Sequence, residues 1–225
     1  ILILDFGSQY TQLIARRIRE LGIFSLVKPF NISVKKIVEL NPKGIVLSGG
    51  PNSVNFSKTL RPGREVFNLN IPILGICYGM QLIAKEFGGT VVNSKKKEFG
   101  HSSFTITKKT NLFNDCINKG KQHSVWMSHA DKVESLPHGF DAIGSSTNSK
   151  IAAICNNKLK IFGLQFHPEV THTVIGKKIL HNFIKICECK KSWTTKSISK
   201  SLIEKAREEI GKEKVILALS GGVDS

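Results

Sequence analysis

Residues 73–81, Ile73-Leu74-Gly75-Ile76-Cys77-Tyr78-Gly79-Met80-Gln81, decide the fold. The first four are an apolar run bounded by a turn, which reads as a buried strand, and residues 80–87 carry apolar side chains at helical spacing. Between them lies G-x-C-x-G. Such an elbow holds its central residue on a strained turn, and small flanking residues let strand and helix approach closely. A thiol at the amino end of a helix feels the positive end of the dipole, which favours thiolate. A buried structural cysteine in a tight turn would carry the same glycines, so Cys77 needs partners elsewhere in the chain.

Working outward, strand-like and helical segments alternate. Residues 1–4 read as a strand, 11–21 as a helix with Leu13, Ile14, Arg17, Ile18 and Leu21 on one face, and 23–27 as a strand. Residues 37–40 read as a helix and 44–47 as a buried strand. This is an α/β pattern: a mostly parallel twisted sheet covered by helices on both faces. Residues 90–162 look like shorter segments of a partly antiparallel edge, with loops over the carboxyl ends of the strands. Residues 161–164 return as a strand, and 174–187 form a helix with Ile175, Ile179, Leu180, Phe183 and Ile184 at helical spacing. A polar, basic stretch follows Cys189. A domain boundary is therefore expected near residue 190, then a helix at 198–210 and a strand at 215–219 that runs into a glycine-rich loop. The chain is expected to be a fragment, since that loop calls for a following helix and residue 1 is not methionine.

Composition bounds the rest. The chain has 225 residues, 40% of them hydrophobic, enough for one full core and part of a second. No apolar run approaches the roughly 18 residues that span a bilayer, so a soluble, cytoplasmic protein without membrane contact is expected. The five cysteines are an odd set without C-x-x-C spacing, which argues against a disulfide framework or a structural zinc site. A net charge of +16 invites a polyanionic partner, yet 33 basic residues include only six arginines and the lysines are scattered. The runs at Lys95-Lys96-Lys97 and Lys190-Lys191 read as a surface turn and a linker, with no aromatics between them to stack bases, so no nucleic-acid partner is expected.

A thiol nucleophile needs a base. Of seven histidines, His167 stands out, because in Phe166-His167-Pro168-Glu169 the imidazole and carboxylate are two residues apart around a proline with fixed φ. Glu169 can then hold the ring in the useful tautomer while the other nitrogen faces Cys77. Ser48-Gly49-Gly50-Pro51 follows a buried strand and can bring a bare amide to the elbow. The N–H groups of Gly50 and Tyr78 are thus candidates for an oxyanion hole; Pro51 has no N–H to offer. At the far end Ser220, Gly221, Gly222, Val223, Asp224 and Ser225 form a glycine-rich loop after a strand, suited to phosphate through its N–H groups and to Mg²⁺ through Asp224.

With these motifs in order, residues 1 to about 190 resemble the class I glutamine amidotransferases, a flavodoxin-like α/β family. More narrowly, Asp5-Phe6-Gly7-Ser8-Gln9-Tyr10, Trp126-Met127-Ser128-His129 and the His167 to Thr173 segment resemble the glutamine-hydrolysing GMP synthetases. The loop at residues 220–225 is similar to the pyrophosphate loop of the ATP pyrophosphatase domain in that family, so residues 191–225 are expected to begin such a domain.

The resemblance implies a Cys77, His167, Glu169 triad that releases ammonia from glutamine without a metal. It also implies substrate contacts from Gln81, Ser128 and His129, with Asp131 beside them. Ala130 stands where that family has glycine, which touches only the local backbone. ATP, Mg²⁺ and XMP would serve the chain's own C-terminal synthetase domain, through which a homodimer would form. The rivals are a glutaminase for another acceptor, such as the carbamoyl phosphate, CTP or anthranilate pathways, against which the pyrophosphate loop argues, and a catalytically silent or nucleic-acid-binding module.

Overall fold

A computed structural model of the protein describes residues 1–56, 59–116, 121–216, 218 and 221–222, with the backbone only for Lys95, residues 195–198, Ser201 and Lys205. Among the described residues nine strands form one sheet in the order β2-β1-β3-β4-β9-β8-β7-β5-β6. Its parallel half comprises β1 (Leu2–Asp5), β2 (Leu26–Pro29), β3 (Ile45–Leu47), β4 (Ile73–Ile76) and β9 (Ile161–Leu164). The antiparallel extension comprises β5 (Thr90–Ile106), β6 (Gln122–Ser135), β7 (Asp141–Ser146) and β8 (Ala153–Asn156).

Alternation along the central strands builds two cores. Leu2, Leu4, Ile45, Leu47 and Ile73 face one side, where α2 (Val34–Leu40) and α3 (Tyr78–Glu86) contribute Ile37, Met80, Ile83 and Ala84. Ile3, Val46, Leu74 and Ile76 face the other, where α1 (Thr11–Glu20) and α4 (Gly176–Ile186) contribute Ile14, Ile18, Ile179, Leu180 and Phe183. Each such side chain, fully buried, is worth about 1.5–3 kcal/mol, so the helices on both faces are held by the sheet rather than by propensity. The strand order turns back between β1 and β3, the switch point at which α/β sheets open a crevice beyond their carboxyl ends.

Three expectations need correction. The strand expected at 23–27 begins only at Leu26, because Ile23 N still donates to Ile18 O and Ser25 Oγ to Ala15 O (3.0 Å), which keeps that stretch tied to α1. Residues 90–162 are not mainly short segments: β5 runs for 17 residues and β6 for 14, a long antiparallel ribbon with one wet face. Val215 and Ile216 lie in no strand and are exposed, since no neighbouring strand among the described residues pairs with them; residues 217 and 219 lie outside those described. The helix expected at 198–210 is present as α5 (Thr195–Ile210). Among the described residues no helix is long and apolar enough to cross a membrane.

Candidate active site

The elbow forms as its residue types require. Cys77 follows β4 and caps α3 with φ 52° and ψ −103°, a left-handed conformation that costs about 1–3 kcal/mol outside glycine. Two bonds hold it there: Cys77 N donates to Leu164 O (2.7 Å), and Cys77 O accepts from Gln81 N (3.2 Å) to start the helix. The flanking glycines are sterically demanded. A Cβ on Gly75 would lie 2.5 Å from the Gly79 carbonyl, and one on Gly79 would collide with Leu47 O. Cys77 is 5% exposed; its Sγ lies 3.4 Å from Ser128 O and 3.7 Å from Gln165 Nε2. Burial pushes the Cys116 and Cys155 thiols up to about 11, which leaves both as inert core residues.

The imidazole arrives from β9. His167 N donates to Trp126 O (3.0 Å), Thr173 Oγ1 donates to His167 O (2.7 Å), and Trp126 N donates to Thr173 Oγ1 (3.0 Å), so the His-Pro-Glu turn is stapled to β6. From α1, Arg17 Nε donates to Glu169 O (2.9 Å). His167 Nδ1 lies 2.7 Å from Glu169 Oε1, with both side chains buried, and Cys77 is near enough to act on the ring's ionisation. Burial disfavours the charged ring, but the Glu169 carboxylate and the hydrogen bonds to Cys77 and Glu169 outweigh it and raise the His167 pKa to about 10. The imidazolium is therefore the resting form near neutral pH.

Cys77 opens into a cleft of about 370 Å³ lined also by Gly50, Tyr78, Gln81, Ser128, His129 and Asp131. Neither Gly50 N nor Tyr78 N donates a hydrogen bond among the described residues, and Tyr78 N belongs to the first turn of α3, which has no intrahelical acceptor. Gln81 Nε2 donates to Asp131 O (2.8 Å) and Gln165 Oε1 (3.2 Å). Asp131 holds the cleft wall together: its carboxylate accepts from Ser53 Oγ and from Asn93 Nδ2 (3.0 Å), and its carbonyl lies 2.9 Å from His129 Nδ1.

The class-I glutamine amidotransferase family model matches residues 2–187. The chain belongs to that family. As an amidotransferase it is 52% identical, over its whole length, to a GMP synthase [glutamine-hydrolyzing] of Campylobacter hominis, and 52% identical to one of Prochlorococcus marinus. It spans 44% and 42% of those proteins. A solved structure from Thermoplasma acidophilum, described as a subunit of a GMP synthase, is 32% identical with a TM-score of 0.75 and covers 91% of this chain and 96% of its own.

The amidotransferase site residues named from sequence thus gather in one region: Cys77, Gly50, Tyr78, Gln81, Ser128 and His129 line the cleft, and the buried His167–Glu169 pair, outside its lining, acts on Cys77. Arg17, Ser53 and Asn93 are not legible in the sequence as site residues, because each acts through a single long-range contact that leaves no local pattern. Ser48 stands out there only as part of its loop; its Oγ accepts from Phe6 N (3.0 Å) and donates to Gly49 O (2.8 Å), which ties the two switch-point loops together. In the phosphate loop, Gly221 (φ +75°) and Gly222 are exposed, whereas Ser220, Val223, Asp224 and Ser225 lie outside the described residues.

Proposed function

We propose that Cys77, His167 and Glu169 hydrolyse the side-chain amide of glutamine and that the chain is the ammonia-producing half of a GMP synthetase. The observation that carries this reading is the buried His167–Glu169 pair acting on the Cys77 sulfur, which lines a cleft with room for a small amino acid.

The thiolate of Cys77 attacks the carboxamide carbon, forming C–S as the carbonyl electrons move to oxygen. The N–H groups of Gly50 and Tyr78 receive that oxyanion. His167, held charged by Glu169, gives its proton to the nitrogen; the C–N bond breaks and ammonia leaves. A water then loses its proton to His167 as it adds to the thioester, the C–S bond breaks, and glutamate and the thiolate return. Among the described residues that line the cleft Asp131 is the one carboxylate, and it complements the substrate's α-ammonium; Gln81 and Ser128 bound the same space.

The released ammonia would aminate XMP adenylated by ATP, giving GMP, AMP and pyrophosphate. That step belongs to a synthetase half beginning near residue 191, where residues 220–225 would bind the ATP pyrophosphate and Asp224 would hold Mg²⁺. On this reading the complete enzyme is cytoplasmic and homodimeric through that half, as the resemblance implies, and the hydrolysis above uses no metal.

Cys77→Ala in the full-length protein tests the reading. Glutamine-dependent GMP formation should vanish while ammonia-dependent formation stays within about two-fold of wild type, because only the first needs the sulfur. Equal loss with both nitrogen sources would contradict it.

A further inference from the structure

Glu98 is a carboxylate with no place in the chemistry above, yet it is 5% exposed. The β5–β6 ribbon puts it there. Pairing runs regularly from Val91 to Asn93 opposite Asp131, breaks, and resumes with Glu98 opposite His129, so that residues 94–97 form a bulge beyond which Glu98 is buried. There it accepts from Ser102 Oγ (2.8 Å) and from Ser146 Oγ (3.0 and 3.1 Å), and its Oε2 lies 3.2 Å from His129 Nε2. That last contact does not meet hydrogen-bond geometry and is a close approach of ring and carboxylate.

The other ring nitrogen of His129 faces the Asp131 carbonyl at 2.9 Å. A carbonyl only accepts, so Nδ1 carries a proton and donates to it, which turns Nε2 toward the Glu98 carboxylate. The buried His129 ring is therefore held between Glu98 and Asp131 O. The same carbonyl also accepts from Gln81 Nε2 (2.8 Å), so one backbone oxygen gathers two residues of the cleft wall. The Asp131 carboxylate, bonded to Ser53 and Asn93, faces the cleft from the same peptide. Glu98, fixed by Ser102 and Ser146, closes the other side of the His129 ring. Hydrogen bonds to a buried carboxylate are stronger than neutral ones, so removing the charge loosens the group that backs the ring.

We propose that Glu98 is a positioning residue for glutamine binding, which acts through His129 to set the cleft wall formed by residues 128–131. This rests on the glutaminase reading, and it predicts an effect on substrate binding rather than on the chemical step. The conformation of Asp131, not the charge of Cys77 or His167, is what Glu98 controls.

The test compares wild type, Glu98→Gln, His129→Gln and the double variant in the full-length protein. Glu98→Gln should raise the KM for glutamine about ten-fold, the scale of one charge-assisted hydrogen bond, with kcat and ammonia-dependent synthesis within about two-fold of wild type. The double variant should bind glutamine no worse than His129→Gln alone, since both act on one wall.

An unchanged KM or a loss confined to kcat would overturn the proposal while leaving the glutaminase reading standing. A wild type that releases no glutamate would remove that reading instead, and the proposal with it. Should Glu98→Gln fail to fold, Ser146→Ala removes a donor to the same carboxylate from outside the cleft. It should raise KM about three-fold, and no rise would overturn the proposal.

Discussion

At the scale of single residues, the pair His167 and Glu169 governs when the site can work. The His167 pKa lies at about 10 in the folded chain, against an ordinary value of 6.5. The sign follows from linkage: this ring stabilises the fold fully below about pH 6.5, and that contribution is lost as pH rises through about 10. Ammonia departure requires the charged ring, so the alkaline limb of kcat for glutamine reports the same ionisation. Glu169→Gln removes the carboxylate that holds the proton. The alkaline limb should then move to lower pH by about one unit or more, with kcat reduced, in a pH–rate profile of glutamate release. A limb that stays in place would take Glu169 out of its assigned role.

Elements matter through how closely they approach. The elbow is a contact between backbones: β4 and α3 meet where Gly75 and Gly79 leave no room for a methyl group. Gly79→Ala should destabilise the chain by about 1–3 kcal/mol in denaturant titrations, because the added Cβ collides with Leu47 O and β3 cannot yield. No loss of stability would mean that strand and helix are less tightly joined than described. Such local demands are legible in the sequence. The bounds of β4 and β9 coincide with the segments read from apolar runs, since strands buried on both faces have no polar residues to blur them. The β5–β6 ribbon reads as fragments for the opposite reason: buried Val125, Met127, His129, Asp131 and Val133 alternate with exposed or half-buried neighbours, and the lysine-rich bulge interrupts the pattern. Glu98 is invisible in the sequence because its partners His129, Ser102 and Ser146 meet it only once the ribbon is paired.

For the whole molecule, the division into two apolar cores around one sheet ends before α5. Trp193 still packs on Phe24, with ring centroids 5.1 Å apart, and Ser192 N and Trp193 N donate to Gly22 O, whereas the described side chains of α5 lie exposed. A chain ending at Thr194 should therefore melt within about 2 °C of the 225-residue chain, and a drop of more than about 5 °C would show that α5 belongs to the first unit. The scattered lysines are readable as a solvated surface, but the strand expected at 215–219 is not realised at Val215 and Ile216, since a strand takes its backbone partners from neighbours that local apolarity cannot supply.

The central claim concerns which sulfur becomes acylated. Cys189, half-buried and lowered to about 7 by its neighbour Cys187, offers a second thiol outside the cleft, so simple alkylation would not discriminate. Acid quenching of the full-length protein during glutamine turnover, followed by peptide mass spectrometry, does. The account predicts a glutamyl thioester on the peptide that contains Cys77, lost on adding hydroxylamine and absent from Cys77→Ala. Steady glutamate release by Cys77→Ala, or a glutamyl adduct on any other cysteine, would contradict it.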